Sequence, residues 1–78
     1  MIWELDRDGL YRADPRIGAD TFSLAVGRLA DTLWAWFVWR TDDFLGAIAE
    51  GSAESCSAAM LAAERMALNW PRSRSRAA

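Results

Sequence analysis

The residues with reactive side chains are few, and they lack the partners that catalysis needs. Carboxylates fall in three close groups, Asp6 with Asp8, Asp42 with Asp43, and Glu50 with Glu54. Two carboxylates can act as a general acid and a general base when they converge on one cavity. The chain has no His and no Lys, so Ser–His, Cys–His and Ser–Lys pairs cannot form.

The positions of these acids favour a structural role. The Asp groups lie at turn signals, where Asp is common because it hydrogen-bonds the nearby backbone. The segment Asp6-Arg-Asp-Gly-Leu resembles the start of a calcium loop but lacks the remaining ligands and the closing Glu. Cys56, the single cysteine, is expected to be a small buried apolar residue near a helix start. We therefore predict no enzyme activity, no catalytic residue, no metal site and no cofactor.

The charge of the chain is divided unevenly along its length. Residues 1–70 carry eleven acids and six Arg, a net charge of −5, whereas residues 71–78 carry three Arg. An acidic body repels phosphate backbones and is attracted to basic surfaces. The sequence therefore predicts a larger partner with a basic surface, and neither direct nucleic-acid binding nor membrane binding.

Length and composition predict a single domain over residues 1–70 and a flexible Arg/Ser tail over residues 71–78. One cysteine gives no internal disulfide. The first residues are acidic where a secretory signal is basic and apolar, and the longest apolar run, at 33–39, is too short to span a membrane. We therefore expect a cytoplasmic protein, located in the host cytoplasm if a phage encodes it.

Alternating apolar residues and turn signals predict an antiparallel sheet. Asp8-Gly9 is a turn signal between two short strands, and Asp14-Pro15 with Gly18 marks a loop. The predicted strands are residues 2–6, 10–13, 21–29, 33–40 and 44–51. The first hairpin is the least regular part of this pattern, which leaves a sheet of three to five strands.

A single helix follows the strands. Ser52 or Ser55 can cap its first turn, and Asn69 with Pro71 should end it. Its buried face is predicted from helical spacing to contain Cys56, Ala59, Met60, Ala63, Met66, Ala67 and Trp70. The fold class is therefore α+β, an antiparallel meander with one C-terminal α-helix packed on one face.

The central strand at 33–40 is apolar on both faces, although one helix covers only one of them. A helix face rich in Ala packs best on large sheet residues. We therefore expect the helix to cover Trp34, Trp36 and Val38 together with Phe22, Leu24 and Val26.

That arrangement places Phe37 and Trp39 on the opposite face. Either the N-terminal segment covers them, or part of this face stays open as an aromatic interface. The register of the last strand is undetermined by one residue. A turn that is one residue longer moves every side chain of that strand to the other face of the sheet.

Part of the chain resembles a known group of proteins. The pattern W-x-W-x-V at 34–38, then Ala49-x-Gly51-x-Ala53, then an Ala-rich helix with Ala58-Ala59 and Ala62-Ala63, is similar to small phage-encoded anti-CRISPR proteins. The resemblance covers about half of the chain and concerns size, layout and acidic body. It implies a non-enzymatic inhibitor that binds a type I CRISPR–Cas surveillance complex and blocks target DNA binding.

Under this hypothesis the acids face the basic groove of the effector, and two aromatic residues anchor the contact. Glu64 is expected on the outer side of the helix. The candidate partner-binding residues are Asp31, Phe37, Trp39, Asp42, Asp43, Glu50 and Glu54.

Two other classes remain open. Phe37 and Trp39 could be buried across a two-fold axis in a small homo-oligomeric phage scaffold, so the chain is either a monomer or a homodimer. A nucleic-acid-binding module is the other class, with Arg72, Arg74 and Arg76 making the contact.

Overall fold

The computed structural model describes residues 1–41 and 48–77, with side chains through Trp70. The elements are β1 (Glu4–Leu5), β2 (Tyr11–Ala13), β3 (Arg16–Ile17), β4 (Asp20–Ala30), β5 (Leu33–Arg40), β6 (Ala49–Ala53) and α1 (Cys56–Ala77). The sheet order is β1–β2–β4–β5–β6, every pair is antiparallel, and β3 pairs separately with β4. The predicted α+β class is confirmed, whereas the domain boundary at residue 70 stays a prediction.

The N-terminal hairpin forms around the predicted Asp8-Gly9 turn. Gly9 has a φ of 82°, a left-handed conformation that glycine adopts without steric cost. One carboxylate oxygen of Asp6 accepts hydrogen bonds from the backbone N–H groups of Asp8 (2.9 Å) and Leu10 (3.0 Å). These bonds satisfy turn amides, so β1 and β2 pair in register although both are short.

The segment between β2 and β4 is more ordered than the sequence indicates. A loop is predicted around Asp14-Pro15 and Gly18, but Arg16–Ile17 forms a strand that pairs back onto Thr21 and Asp20. Gly18 makes this possible because its φ of 65° closes the tight turn.

The sheet faces follow the predicted alternation. Phe22, Leu24, Val26 and Val38 are fully buried, and Ala59, Ala63 and Ala67 of α1 are buried as well. Leu24 lies opposite Val38 and Val26 opposite Trp36, so these residues share one face. Phe22, Leu24 and Val38 belong to the same core cluster as Ala63 and Ala67.

The prediction of the helix-covered face is therefore confirmed for the core of the two strands. Small helix residues let α1 approach the large sheet side chains closely.

The last strand is shifted from its predicted position. Residues 44–51 were expected to form it, but β6 is Ala49–Ala53, and residues 42–47 lie outside the described part of the chain. Pairing of Trp36 with Gly51 and of Phe37 with Glu50 fixes the register that the sequence leaves open. Gly51 is required here, because a Cβ at this position would lie 2.6 Å from the Trp36 ring.

The helix begins directly after Ser55, one of the two predicted capping residues. The Ser55 hydroxyl accepts a hydrogen bond from the Ala58 backbone N–H at 3.1 Å, which satisfies a free donor of the first turn. The prediction that α1 ends at Asn69–Pro71 is wrong, because the helix extends to Ala77. A proline fixes a φ that is compatible with a helix, at the cost of one hydrogen bond and of steric crowding against the preceding turn. The Arg, Ser and Ala residues that follow tolerate helical geometry. The flexibility of residues 71–78 stays a prediction.

In the described part of the chain, no helix combines the length and apolar character needed to cross a bilayer.

Candidate binding face

The side of the sheet opposite α1, here called the outer face, is built by the second set of alternating residues. Its members are Arg12 of β2, Ser23, Ala25 and Gly27 of β4, Ala35, Phe37 and Trp39 of β5, and Glu50 and Ser52 of β6. These residues share a face because directly opposed residues in antiparallel strands point to the same side. Large side chains on this face are concentrated in β5.

Phe37 and Trp39 form an aromatic pair at the centre of the outer face. Their ring centroids are 5.6 Å apart, and the ring planes differ by 18°, a stacked arrangement. Both side chains are half-buried. The backbone of Phe37 is paired on both sides, with Ala25 of β4 and Glu50 of β6, and Trp39 is paired with Ser23 of β4. The two rings thus form a preorganised apolar surface.

Small residues surround the aromatic pair on the neighbouring strand. Ala25 lies opposite Phe37, Ser23 opposite Trp39, and Gly27 opposite Ala35. A Cβ on Gly27 would lie 2.6 Å from Cδ2 of Leu10, so the Leu10 side chain lies on this glycine. The outer face therefore carries small side chains along β4 and large aromatic rings along β5.

Each aromatic ring has an acidic group near it. Glu50 is exposed and lies directly opposite Phe37 on β6. On the other side, the Ser23 hydroxyl, opposite Trp39, donates a hydrogen bond to Asp14 at 2.9 Å. One carboxylate, Glu50, thus lies on the neighbouring strand β6, and a second, Asp14, is hydrogen-bonded to the neighbouring strand β4 through Ser23.

The N-terminal segment extends the sheet instead of folding over the aromatic pair. β1 and β2 add to the edge beside β4, and Trp3 belongs to the residues packed against the helix-side core. Leu5 is exposed, Tyr11 lies opposite Val26 on the helix side, and Leu10 contacts the outer face at Gly27. Coverage of Phe37 and Trp39 by Trp3, Leu5 or Tyr11 is therefore wrong among the described residues, whereas coverage by Leu10 stays a prediction.

The structure brings together only part of the predicted set. Phe37, Trp39 and Glu50 share the outer face. Asp31, in the turn between β4 and β5, forms an ion pair with Arg28 at 2.8 Å, and Glu54 is exposed between β6 and α1. Both lie at the Trp34 end of the sheet, away from the aromatic pair, because Trp34 is the β5 residue paired with Arg28 and Ala53. Asp42 and Asp43 lie outside the described residues.

One acid was placed incorrectly by the sequence. Glu64, expected on the outer side of the helix, is half-buried and accepts a hydrogen bond from the Trp3 indole N–H at 2.6 Å. Helical spacing alone puts Glu64 at the flank of the buried stripe, and only the path of the N-terminus provides its partner. Asp14 is not among the residues predicted from the sequence, and its position directly after the short strand β2 is the only signal for it.

The described residues contain no group of three or more possible metal ligands of the Cys, His, Asp or Glu type. Burial raises the pKa of the Cys56 thiol above its ordinary value of 9.0, so the thiol is protonated at neutral pH and is a poor nucleophile. An open depression of about 430 Å³ lies between the N-terminus and the β2–β3 connection, lined by Met1, Ile2, Asp14, Pro15 and Arg16. Asp14 is the one carboxylate among these lining residues. The depression therefore lacks the second carboxylate that general acid–base catalysis by a pair requires.

Fold and face together define a small α+β domain with one sheet face covered by a helix and the other carrying an acid-flanked aromatic pair. No protein-family model, no curated protein and no solved structure matches the chain. The geometry of the outer face is therefore the basis for a functional proposal.

Proposed function

We propose that this chain is a non-enzymatic binding protein whose outer face docks on the basic surface of a larger protein. The observation that carries the proposal is the stacked Phe37–Trp39 pair with Glu50 beside it, on the face that α1 does not cover. Aromatic residues at the centre of an interface often supply most of its binding free energy, since they bury a large area with little loss of side-chain freedom.

The chemistry of the partner follows from the flanking charges. An arginine side chain can stack on an aromatic ring and at the same time pair with a neighbouring carboxylate. The outer face offers both kinds of contact, Trp39 and Phe37 for the guanidinium plane and Glu50 for its N–H groups. A partner rich in exposed Arg or Lys is therefore the best match.

The distribution of ion pairs also supports an attraction between this chain and a basic partner. Asp6, Asp20 and Asp31 are paired with Arg12, Arg40 and Arg28. Among the described residues, Glu4, Asp8, Glu50 and Glu54 form no ion pair, so their charges remain available to a partner. These unpaired acids lie on the outer face and at the ends of the sheet, where their negative charge attracts a basic surface.

The finer proposal is that the partner is a type I CRISPR–Cas surveillance complex and that binding prevents the complex from engaging target DNA. It is supported by the resemblance in size, layout and acidic body described above. A groove that holds a DNA duplex is lined with Lys and Arg, which matches the chemistry of the outer face.

A binding experiment separates the general proposal from the finer one. Purified type I surveillance complex is incubated with labelled target duplex and increasing amounts of this chain, and DNA binding is followed by gel mobility shift. Direct binding to the complex is measured in parallel by biolayer interferometry. Inhibition with direct binding supports both proposals. Direct binding without inhibition contradicts only the proposal that this chain blocks target DNA binding.

Variants then test the outer face. Trp39→Ala and Glu50→Lys should each weaken binding at least tenfold, because the first removes the anchor and the second reverses the charge beside it. Leu61→Ala, which changes an exposed apolar residue of α1 on the other side of the sheet, is the matched control for Trp39→Ala and should leave affinity unchanged. Asp8→Asn, which changes an exposed acid in the turn between β1 and β2, should weaken binding much less than Glu50→Lys. Equal affinities for all four variants would show that the outer face is not the docking surface.

A further inference from the structure

A second surface of the molecule lies at the edge of its sheet. β6 is the last strand in the sheet order, and among the described residues no strand pairs with its far side. Half of its backbone N–H and C=O groups point away from β5 as in any edge strand, so they are available to a further strand. The opposite edge is formed by β1, which is only two residues long.

The side chains of β6 do little to block such pairing. Its sequence is Ala-Glu-Gly-Ser-Ala, without Pro or Lys and with Glu50 as its one charge. Natural edge strands that avoid pairing usually carry Lys, Pro, a bulge or a covering segment. β6 is thus long enough and open enough to be extended by a strand.

The position of Glu50 determines which strand fits. If a second copy pairs antiparallel about a two-fold axis perpendicular to the sheet, opposed residues must point to the same side. The axis can then pass through Glu50, Gly51 or Ser52 near the middle of the strand. An axis at Glu50 opposes Glu50 to itself, and an axis at Ser52 opposes Glu50 to Glu54. Only an axis at Gly51 avoids opposed carboxylates, and it places Glu50 opposite Ser52, whose hydroxyl can donate to it.

The flank of α1 nearest to β6 fits the same arrangement. Glu64 contacts Trp3 and so marks the flank of α1 that faces the β1–β2 edge. Helical geometry puts Ala58, Ala62 and Met66 on the other flank, at intervals of four residues, toward β6. Ala58 and Met66 are exposed and Ala62 is half-buried. The small residues Ala58 and Ala62 allow a second α1 to approach closely when both helices lie on the same side of a joined sheet, and the exposed Met66 adds apolar surface to the contact.

We propose that β6 is a self-association edge and that two copies of this chain pair through antiparallel β6 strands with Gly51 at the two-fold axis. The partner at this edge is therefore a second copy of the chain. Strand pairing supplies the backbone hydrogen bonds, and the facing α1 flanks bury additional apolar area. The inference is independent of the docking role of the outer face, because strand pairing at the edge of β6 places neither α1 on the outer face of the described sheet.

Sedimentation equilibrium of the full chain tests the proposal between about 1 μM and 1 mM, where association of modest strength is detected. The expected result is a mass that rises with concentration to twice the 8.7 kDa of one chain. A mass of one chain throughout this range would overturn the proposal and would leave β6 open to another protein only.

Charge variants of Ser52 test the register. Ser52→Glu places a carboxylate opposite Glu50 of the second copy and should weaken the dissociation constant roughly two- to thirtyfold, since two such pairs form per dimer. Ser52→Lys, of similar length and opposite charge, should strengthen association. The double variant Glu50→Lys with Ser52→Glu restores opposite charges and should recover the dimer.

Circular dichroism on dilute samples verifies that each variant keeps its fold, which is expected because Ser52 is exposed. A dimer that responds equally to both Ser52 substitutions would rule out pairing through β6 in this register. A dimer abolished by Trp39→Ala but unaffected at Ser52 would instead place the two-fold axis at the outer face.

Discussion

The indole N–H of Trp3 donates a hydrogen bond of 2.6 Å to a carboxylate oxygen of Glu64, joining residues 61 positions apart. Trp3 also packs against the core cluster that includes Ala63 and Ala67 of the same helix. The contact therefore holds the N-terminal segment against the flank of α1. Among the described hydrogen bonds, it joins the two residues that lie farthest apart in the sequence.

This contact predicts a measurable contribution to stability. Glu64→Ala leaves the half-buried indole donor without its acceptor and should lower the free energy of unfolding by about 1–3 kcal/mol. Urea unfolding followed by tryptophan fluorescence gives the value. Trp3→Phe removes the donor and keeps an aromatic ring, so in a double-mutant cycle the two effects should be less than additive. Additive effects would show that the hydrogen bond adds nothing beyond packing.

The two close-packed glycines should respond differently to the same substitution. At Gly51 an added methyl group meets the rigid ring of Trp36, whereas at Gly27 it meets the end of the flexible Leu10 side chain. We expect Gly51→Ala to destabilise the fold by about 1–3 kcal/mol and Gly27→Ala by clearly less. Thermal unfolding of dilute samples makes the comparison. A larger loss for Gly27→Ala would contradict it.

The core should be sensitive to the removal of one ring. Phe22 is fully buried, and Phe22→Ala should cost about 3–5 kcal/mol, comparable to the total stability of a chain of this length, about 4–10 kcal/mol. Urea unfolding followed by circular dichroism should therefore show a midpoint far below that of the parent chain. Leu29→Ala is the control, because the Leu29 side chain is 64% exposed and should change stability by less than about 0.5 kcal/mol.

The start of α1 allows a test of capping. Ser55→Ala removes the acceptor of the Ala58 N–H and should destabilise the protein by about 0.5–2 kcal/mol. Ser57→Ala changes a neighbouring exposed serine that accepts no backbone N–H in the described hydrogen bonds, so it should have little effect. If both variants unfolded at the same urea concentration as the parent chain, the Ser55 cap would be energetically unimportant.

Cys56 should show a pH-dependent contribution of definite sign. Because burial raises the pKa of the folded thiol above 9.0, the folded state holds this proton more tightly than the unfolded state. The contribution of Cys56 to stability is therefore fully present below pH 9 and is lost as the pH rises through the folded-state pKa. Alkylation by iodoacetamide at pH 8 should be slower than for the unfolded chain in urea. Equal rates would contradict a protected thiol.

Much of the sheet could be predicted because its residues alternate strictly. Phe22, Leu24 and Val26 on β4 indicate which face is buried, and the pattern W-x-W-x-V on β5 agrees with it. The aromatic pair on the outer face follows from the same alternation. Local sequence is sufficient here because a period of two residues determines the side on which every side chain lies.

The misplaced features depend on distant or weak signals. β3 contains only Arg16 and Ile17, too few residues to show a pattern. Pro71 indicates a helix end, but the backbone remains helical to Ala77, since the φ of proline is compatible with a helix and the chain can continue past it at an energetic cost. The partner of Glu64 lies at the other end of the chain, so no local window could reveal it.

The two-residue length of β1 limits how far assembly can proceed. In the proposed pair, the described strands at the two ends of the combined sheet are the two copies of β1. A strand of two residues offers too few backbone groups to hold a third copy, so the proposed assembly is limited to two copies and does not extend into a fibre.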